Sequence, residues 1–301
     1  SRGIAPGSRT LVVVPTMLTS AESIEGLVEA LEVRFLANRD DNLHFGLLTD
    51  FPDASTESRP EDESLLQLVR NGIDGLNAKY GRAADAAGKP GTGDTFFLFH
   101  RPRRWNAEER VWMGYERKRG KLADLNALLR GGGTTGFSLV VGDIAALPTV
   151  KYVITLDTDT ELPRDSALQF VGTMAHPLNR ARFDPSGQGK DGERVSEGYG
   201  ILQPRVSISL AGANRSWYAR LHGGDPGIDP YTRAVSDVYQ DVFEEGSFIG
   251  KGIYDVDAFE RSLGNRFPEN RILSHDLLEG CYARSGLLSD AQLYEAFPST
   301  Y

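Results

Sequence analysis

Two carboxylates one residue apart, Asp157 and Asp159, stand at the end of the apolar run Tyr152–Leu156, with Glu161 close behind. Hard oxygen donors in that arrangement suit Mg²⁺ or Mn²⁺. An ion held there can bridge two phosphates and draw charge off a leaving group. The same residues also fit a polar turn in which Asp159 caps the next helix. Asp50 ends another apolar run, where a carboxylate can accept hydrogen bonds from ribose hydroxyls or a base N–H. Just ahead of Pro52, it suits a turn equally well. Arg117, Lys118, Arg119 and Lys121 put four cations into five positions at the start of a helical pattern. Cations oppose the dipole at a helix start. An anionic ligand such as a pyrophosphate would explain them, and so would a solvated basic face.

Further along, Glu244–Ile253 (EEGSFIGKGI) is a Gly-punctuated stretch with an apolar centre. Gly246, Gly250 and Gly252 let backbone come close to a ligand, or simply make a tight turn between strands. The stretch is not a phosphate loop, because no Ser or Thr follows Lys251. Ser274-His275-Asp276, with Glu279 behind, leads into a short helical pattern. Asp276 has the chemistry of a general base that takes a proton from a hydroxyl. Taken alone, the spacing fits a cap at Ser274 with Asp276 in the first turn better. Trp105, Trp112, Trp217 and Tyr218 are candidates for stacking on sugar faces, though such aromatics more often serve core or interface packing.

These residues need elements to position them. Thr10–Pro15 reads as a buried strand ending at proline. Thr19 and Glu22 have capping-box spacing, and Ile24, Leu27, Val28, Leu31 and Phe35 predict a helix over 20–38. His44–Asp50 and Thr95–Phe99 read as strands. Leu65, Leu66, Val69, Ile73 and Leu76 mark a second helix. Leu122, Leu125, Leu128 and Leu129 mark a third, ended by Gly131–Gly133. Strands alternating with helices predict an α/β, doubly wound, mostly parallel sheet covered on both faces. Ligands in such sheets sit beyond the carboxyl ends of the strands. The second half is less periodic. The polar stretch 181–198 reads as a surface loop or hairpin, Gly200–Ser209 as a strand, and Gly223–Tyr231 as a loop.

Composition bounds the function. The chain has 301 residues, 40% hydrophobic and 25% charged, an ordinary globular balance. A net charge of −9 speaks against coating a phosphate backbone, so no nucleic acid is expected as partner. A lone cysteine, Cys281, excludes an internal disulfide and any Cys-rich zinc site. No apolar run approaches the ~18 residues of a membrane helix, and no segment looks like a targeting sequence.

Taken in order, VVVPT, the strand-end Asp50, GKLADLN, LDTDTEL, QPR, EEGSFIGKG and SHDLLEG resemble GT-A-type glycosyltransferase domains that use a nucleotide-diphosphate sugar. The last blocks resemble more specifically the glycosyltransferase domain of cyclic β-1,2-glucan synthases. The resemblance covers essentially the whole chain and implies one GT-A-like catalytic domain over 1–301. It implies that Pro15 and Thr16 lie along a uridine and that Asp50 contacts base or ribose. It places Lys121 near the diphosphate, with Asn126 closing that segment. Asp157 and Asp159 become the metal-binding pair for Mg²⁺ or Mn²⁺, and Gln203 faces the donor and acceptor sugars. The segment around Glu245–Gly250, with Gly246 and Ser247, becomes the acceptor-side wall, and Asp276 the catalytic base. In many relatives Glu precedes that base; here His275 does.

The implied reaction is inverting transfer of glucose from UDP-glucose to a glucan acceptor. A Q-x-x-R-W block found in processive relatives does not occur before Tyr301. The resemblance therefore implies a piece excised from a longer chain with membrane helices and carbohydrate-processing domains, working at the cytoplasmic face of a bacterial inner membrane. Two rivals are a sugar nucleotidyltransferase and a non-catalytic nucleotide- or glucan-binding module. The first would carry a Gly-rich, basic loop after the first strand, and VVVPTMLTS has neither feature.

Overall fold

The computed structural model describes residues 3–81, 93–184, 193–208, 234–264, 266–268, 272 and 275–295. Its contacts divide the chain into two compact units that meet in sequence between Lys151 and Tyr152.

The first unit starts with strand β1 (Thr10–Met17), helix α1 (Ala21–Ala37), strand β2 (Leu43–Asp50), helix α2 (Asp62–Tyr80) and strand β3 (Phe96–His100). A hairpin of β4 (Arg104–Asn106) and β5 (Val111–Met113) follows, then α3 (Arg117–Leu129) and β6 (Leu139–Val141). β1, β2 and β3 pair in parallel, and β6 closes the β3 side antiparallel. All eight residues of β2 are buried, as a strand covered on both faces must be. Alternation sends β3's rings to opposite sides. Phe96 meets Phe35 of α1 at 5.0 Å and Tyr80 of α2 at 6.1 Å. Phe97 stacks on Phe99, which meets Phe137. Burying each such side chain contributes roughly 1.5–3 kcal/mol, so these rings, rather than surface charge, hold the helices to the sheet.

Two local expectations shift. The cap of α1 is Ser20, whose hydroxyl accepts from the Ser23 N–H at 3.1 Å, and not Thr19. The helix begins one residue later than the Thr19–Glu22 spacing suggests. β1 also runs through Pro15 to Met17 and stays in register with Leu48, Thr49 and Asp50. One missing donor near a strand's end removes one ladder bond without ending the pairing.

The second unit holds β7 (Tyr152–Thr155), β8 (Thr160–Glu161), α4 (Ser166–Ala175), the short β9 (Arg182–Phe183) and β10 (Val195–Glu197), and β11 (Ile201–Ile208). Then come α5 (Ala234–Phe243), β12 (Gly252–Asp255), α6 (Val256–Leu263), α7 (Asp276–Ala283) and β13 (Ser285–Glu295). Its strands run in the order β7-β12-β11-β13-β8. Only β11 and β13 pair in parallel; the other neighbours are antiparallel. Each unit thus has a mixed sheet flanked by helices, mostly parallel in the first unit and mostly antiparallel in the second. The 181–198 stretch contains β9 and β10, which pair antiparallel. The expected Gly223–Tyr231 loop lies outside the described residues. No helix among the described residues is long and apolar enough to cross a membrane.

His100, at the end of β3, is fully buried. Its Nδ1 lies 2.8 Å from Thr49 Oγ1, Phe51 packs on its ring, and its Nε2 meets no hydrogen-bonding partner among the described residues. Burial pushes its pKa down to about 4, against the pull of the Asp50 carboxylate. An unfolded histidine titrates near ~6.5. As pH falls through that value the unfolded chain takes up a proton that the folded chain refuses, so stability is lost on acidification. The expected loss from this one group is about 3 kcal/mol between pH 7 and 4. Denaturant titrations of wild type and His100→Gln across that range measure it. Equal pH slopes for the two proteins would exclude the effect.

Candidate functional site

The first unit gathers a buried ionic cluster on Asp50. Arg101, which directly follows β3, binds the Asp50 carboxylate with two parallel bonds, Nε to Oδ1 at 2.9 Å and Nη2 to Oδ2 at 3.0 Å. Its third nitrogen reaches Asp124 of α3 at 2.9 Å. Lys121 Nζ lies 3.2 Å from Asp50 Oδ2 and also donates to the Thr16 carbonyl. Asp50, Arg101 and Lys121 are each no more than 5% exposed. Burial lowers the Lys121 pKa, and Asp50 opposes that only in part. Gly114 lies directly over Asp50: a Cβ there would come within 2.1 Å of Oδ2, so only glycine lets the chain pass.

The cation run at the start of α3 therefore finds anions within the protein. Arg117 reaches Asp53 and Glu109, Arg119 reaches Glu116, and Lys121 reaches Asp50. Pro15 and Thr16 lie inside β1, and Asn126 is fully buried in α3. Trp105 and Trp112 face each other across the β4–β5 hairpin at 5.9 Å. Trp217 and Tyr218 lie outside the described residues.

In the second unit Asp157 follows β7 and Asp159 lies in the exposed turn that leads to β8. Asp157 Oδ2 is 3.2 Å from Lys251 Nζ, whose other partner is Glu295. Burial works against the Lys251 charge, but Glu295 and Asp157 outweigh it and hold the pKa above the ordinary lysine value. Two hard carboxylates, one half-buried and one exposed, fit a divalent ion that completes its shell with phosphate oxygens and water.

The segment from Gly246 to Lys251 runs between these acids and α7. At its start the Gly246 N–H donates to the Ser285 carbonyl at 2.6 Å, ahead of Ser247. Phe248 is buried against Gly280 of α7, where a Cβ would come within 3.0 Å of the Phe248 Cβ. The Ile249 N–H donates to Gln203 Oε1 at 3.0 Å, and the Gly250 carbonyl accepts from Thr155 Oγ1 at 3.1 Å. Gly250 has φ +85°, a turn conformation that suits glycine. Gln203 is fully buried and its Nε2 donates to the Pro204 carbonyl, so its amide braces this segment. Asp276 opens α7. His275 Nε2 lies 3.6 Å from Asp276 Oδ1 and 3.8 Å from Glu279 Oε1, and these three residues form a group able to hold a cation. Ser274, the expected cap, lies outside the described residues.

Sequence reasoning left four residues without a role: Arg101, Asp124, Lys251 and Glu295. Arg101 stood at a strand end and Lys251 in the glycine-rich block, so position pointed to both. The carboxylate partners of Arg101 lie 51 and 23 positions away and those of Lys251 94 and 44 positions away, where no periodic pattern reaches.

No family model matches the chain. Among solved structures it is similar to S. aureus TarS, with a TM-score of 0.43 and 11% identity, covering 96% of this chain and 60% of that one. It is also similar to an active-site mutant of LgtC, with a TM-score of 0.33 and 12% identity, covering 92% of this chain and 72% of that one. The sequence comparison is far stronger. The chain is 46% identical over 300 residues to cyclic beta-(1,2)-glucan synthase NdvB of Rhizobium meliloti, covering 99% of this chain and 10% of that protein. It thus spans about a tenth of the length of the curated relative that it matches. Along nearly its whole length, this chain is homologous to one segment of a cyclic beta-(1,2)-glucan synthase.

Proposed function

We propose that the chain is an inverting, GT-A-type glucosyltransferase that moves glucose from UDP-glucose to O2 of a β-1,2-glucan. The observation that carries this reading is the 46% identity over 99% of the chain to a segment of a glucan synthase. The second unit supports it: Gly246–Lys251 touches α7 through Phe248 and the Asp157 turn through Lys251.

In this reading Asp276 takes the proton of the acceptor hydroxyl as its oxygen attacks the anomeric carbon. The bond to the UDP oxygen breaks in line, its electron pair leaves with UDP, and an α-linked donor gives a β-linked product. Asp157 and Asp159 would hold Mg²⁺ or Mn²⁺, which when bound supplies charge stabilisation to the leaving diphosphate. Pro15, Thr16 and Lys121 are assigned to the nucleotide, with Asp50, itself held by Arg101, fixing Lys121 in place. Gly246 and Ser247 are assigned to the acceptor, and Gln203 holds their segment. The natural setting would be a longer membrane-associated synthase that brings donor and glucan together.

The test is product analysis with labelled UDP-glucose, a β-1,2-gluco-oligosaccharide and Mn²⁺ or Mg²⁺. The expected result is one free UDP for each glucose added, with the new bond at O2. Release of pyrophosphate would identify a nucleotidyltransferase instead. Glucan binding with no UDP binding at any metal concentration would identify a binding module.

A further inference from the structure

Lys251 is held more rigidly than a surface lysine needs to be. Its side chain is 14% exposed and bridges Asp157 and Glu295. The backbone on its N-terminal side is tied down by Thr155 at the Gly250 carbonyl and by Gln203 at the Ile249 N–H. Glu295 also accepts from Thr160 Oγ1 at 2.9 Å and stands opposite Thr160 in the β13–β8 register. The turn from Asp157 to Thr160 is therefore clamped by Lys251 at one end and by Glu295 at the other. The clamp puts a positive charge on Asp157 Oδ2, one of the two oxygens of the carboxylate that a divalent ion would need.

We propose that Lys251 is a built-in counter-cation of the Asp157/Asp159 pair, which sets the pair's affinity for a divalent ion by competing for Asp157. The proposal rests on the metal-binding reading of that pair. Two cations on one half-buried carboxylate repel each other strongly. An arriving ion must displace Lys251 from Asp157 or share the carboxylate with it. Glu295 gives the lysine a second acceptor to fall back on. Lys251 and Glu295 thus act with opposite sign: the lysine weakens ion binding and the glutamate favours it.

The test uses Mn²⁺ alone as probe, titrated into the protein without nucleotide and followed by calorimetry or by the loss of the free-ion paramagnetic resonance signal. Lys251→Gln is expected to bind Mn²⁺ about tenfold or more tightly than wild type. Glu295→Gln is expected to bind several-fold more weakly, and adding Asp157→Asn to Lys251→Gln abolishes the gain. A lysine that merely braced the turn would give the reverse, weaker binding in Lys251→Gln. That result, or unchanged affinity, overturns the proposal while the metal reading stands. Should Lys251→Gln fail to fold, Glu295→Gln decides: tighter or unchanged binding there sinks the idea. If neither wild type nor Lys251→Gln binds Mn²⁺, the metal reading itself fails and the proposal falls with it.

Discussion

Replacing Asp276 by Asn is expected to lower glucosyl transfer by about 10³-fold or more, while affinity for UDP stays within about threefold of wild type. The substitution keeps size and shape and removes only the ability to accept a full proton. Asp276 lies at the first position of α7 and is about one-quarter exposed, so it suits a group that must reach a ligand. Glu279, one turn on, is buried at 3% and is the less accessible carboxylate. The two measurements must be made together. A parallel loss of transfer and UDP binding would mean that Asp276 holds the site together and takes no proton. Transfer that survives in the Asn variant would reassign the base, with Glu279 the next residue to replace. Because His275 stands between the two carboxylates, Glu279→Gln also shows whether this trio works as a unit.

The second large effect is on stability. Asp50→Asn is expected to lower the unfolding free energy by about 3–5 kcal/mol, the cost of breaking a buried ion pair from one side. Arg101 would keep Asp124 as a partner, but among the described residues Lys121 would keep only the Thr16 carbonyl. A buried lysine stripped of its counter-charge favours its neutral form. Its folded pKa then lies further below that of the unfolded chain, so stability rises with pH as the folded state sheds its proton first. The deficit should therefore shrink between pH 7 and 9.5. Chemical denaturation at the two pH values measures both numbers. A deficit below about 1 kcal/mol at pH 7 would show that the pair with Arg101 is dispensable. The same experiment bears on function, since any loss of nucleotide affinity in an Asp50 variant has to be read against this loss of fold.

The helices and strands of the first unit were legible because their signals are local. The 3.6-residue spacing of Ile24, Leu27, Leu31 and Phe35 marks α1 within 17 residues of chain. The apolar runs that became β1, β2 and β3 are each continuous. Errors of detail were also local, such as a cap read one residue early and a strand ended at Pro15. The second unit was harder to read, since β11 finds its parallel partner in β13 some 80 residues away and β12, which comes between them in sequence, pairs antiparallel. No short-range pattern encodes such a register.

By itself, the sequence determined which residue types stand at the strand ends and helix starts: Asp50, Asp157, Asp159, Lys121 and Asp276. Residue type and local spacing are properties of a few neighbouring positions, so they survive without a fold. Only the tertiary structure decided what each charge meets. It gave Asp50 to Arg101 and Lys121, spent the amide of Gln203 on the backbone of Ile249, and set Lys251 between Asp157 and Glu295. Hydrogen bonds and buried ion pairs act over a few ångströms, and which distant residues come that close is settled when the strands pair.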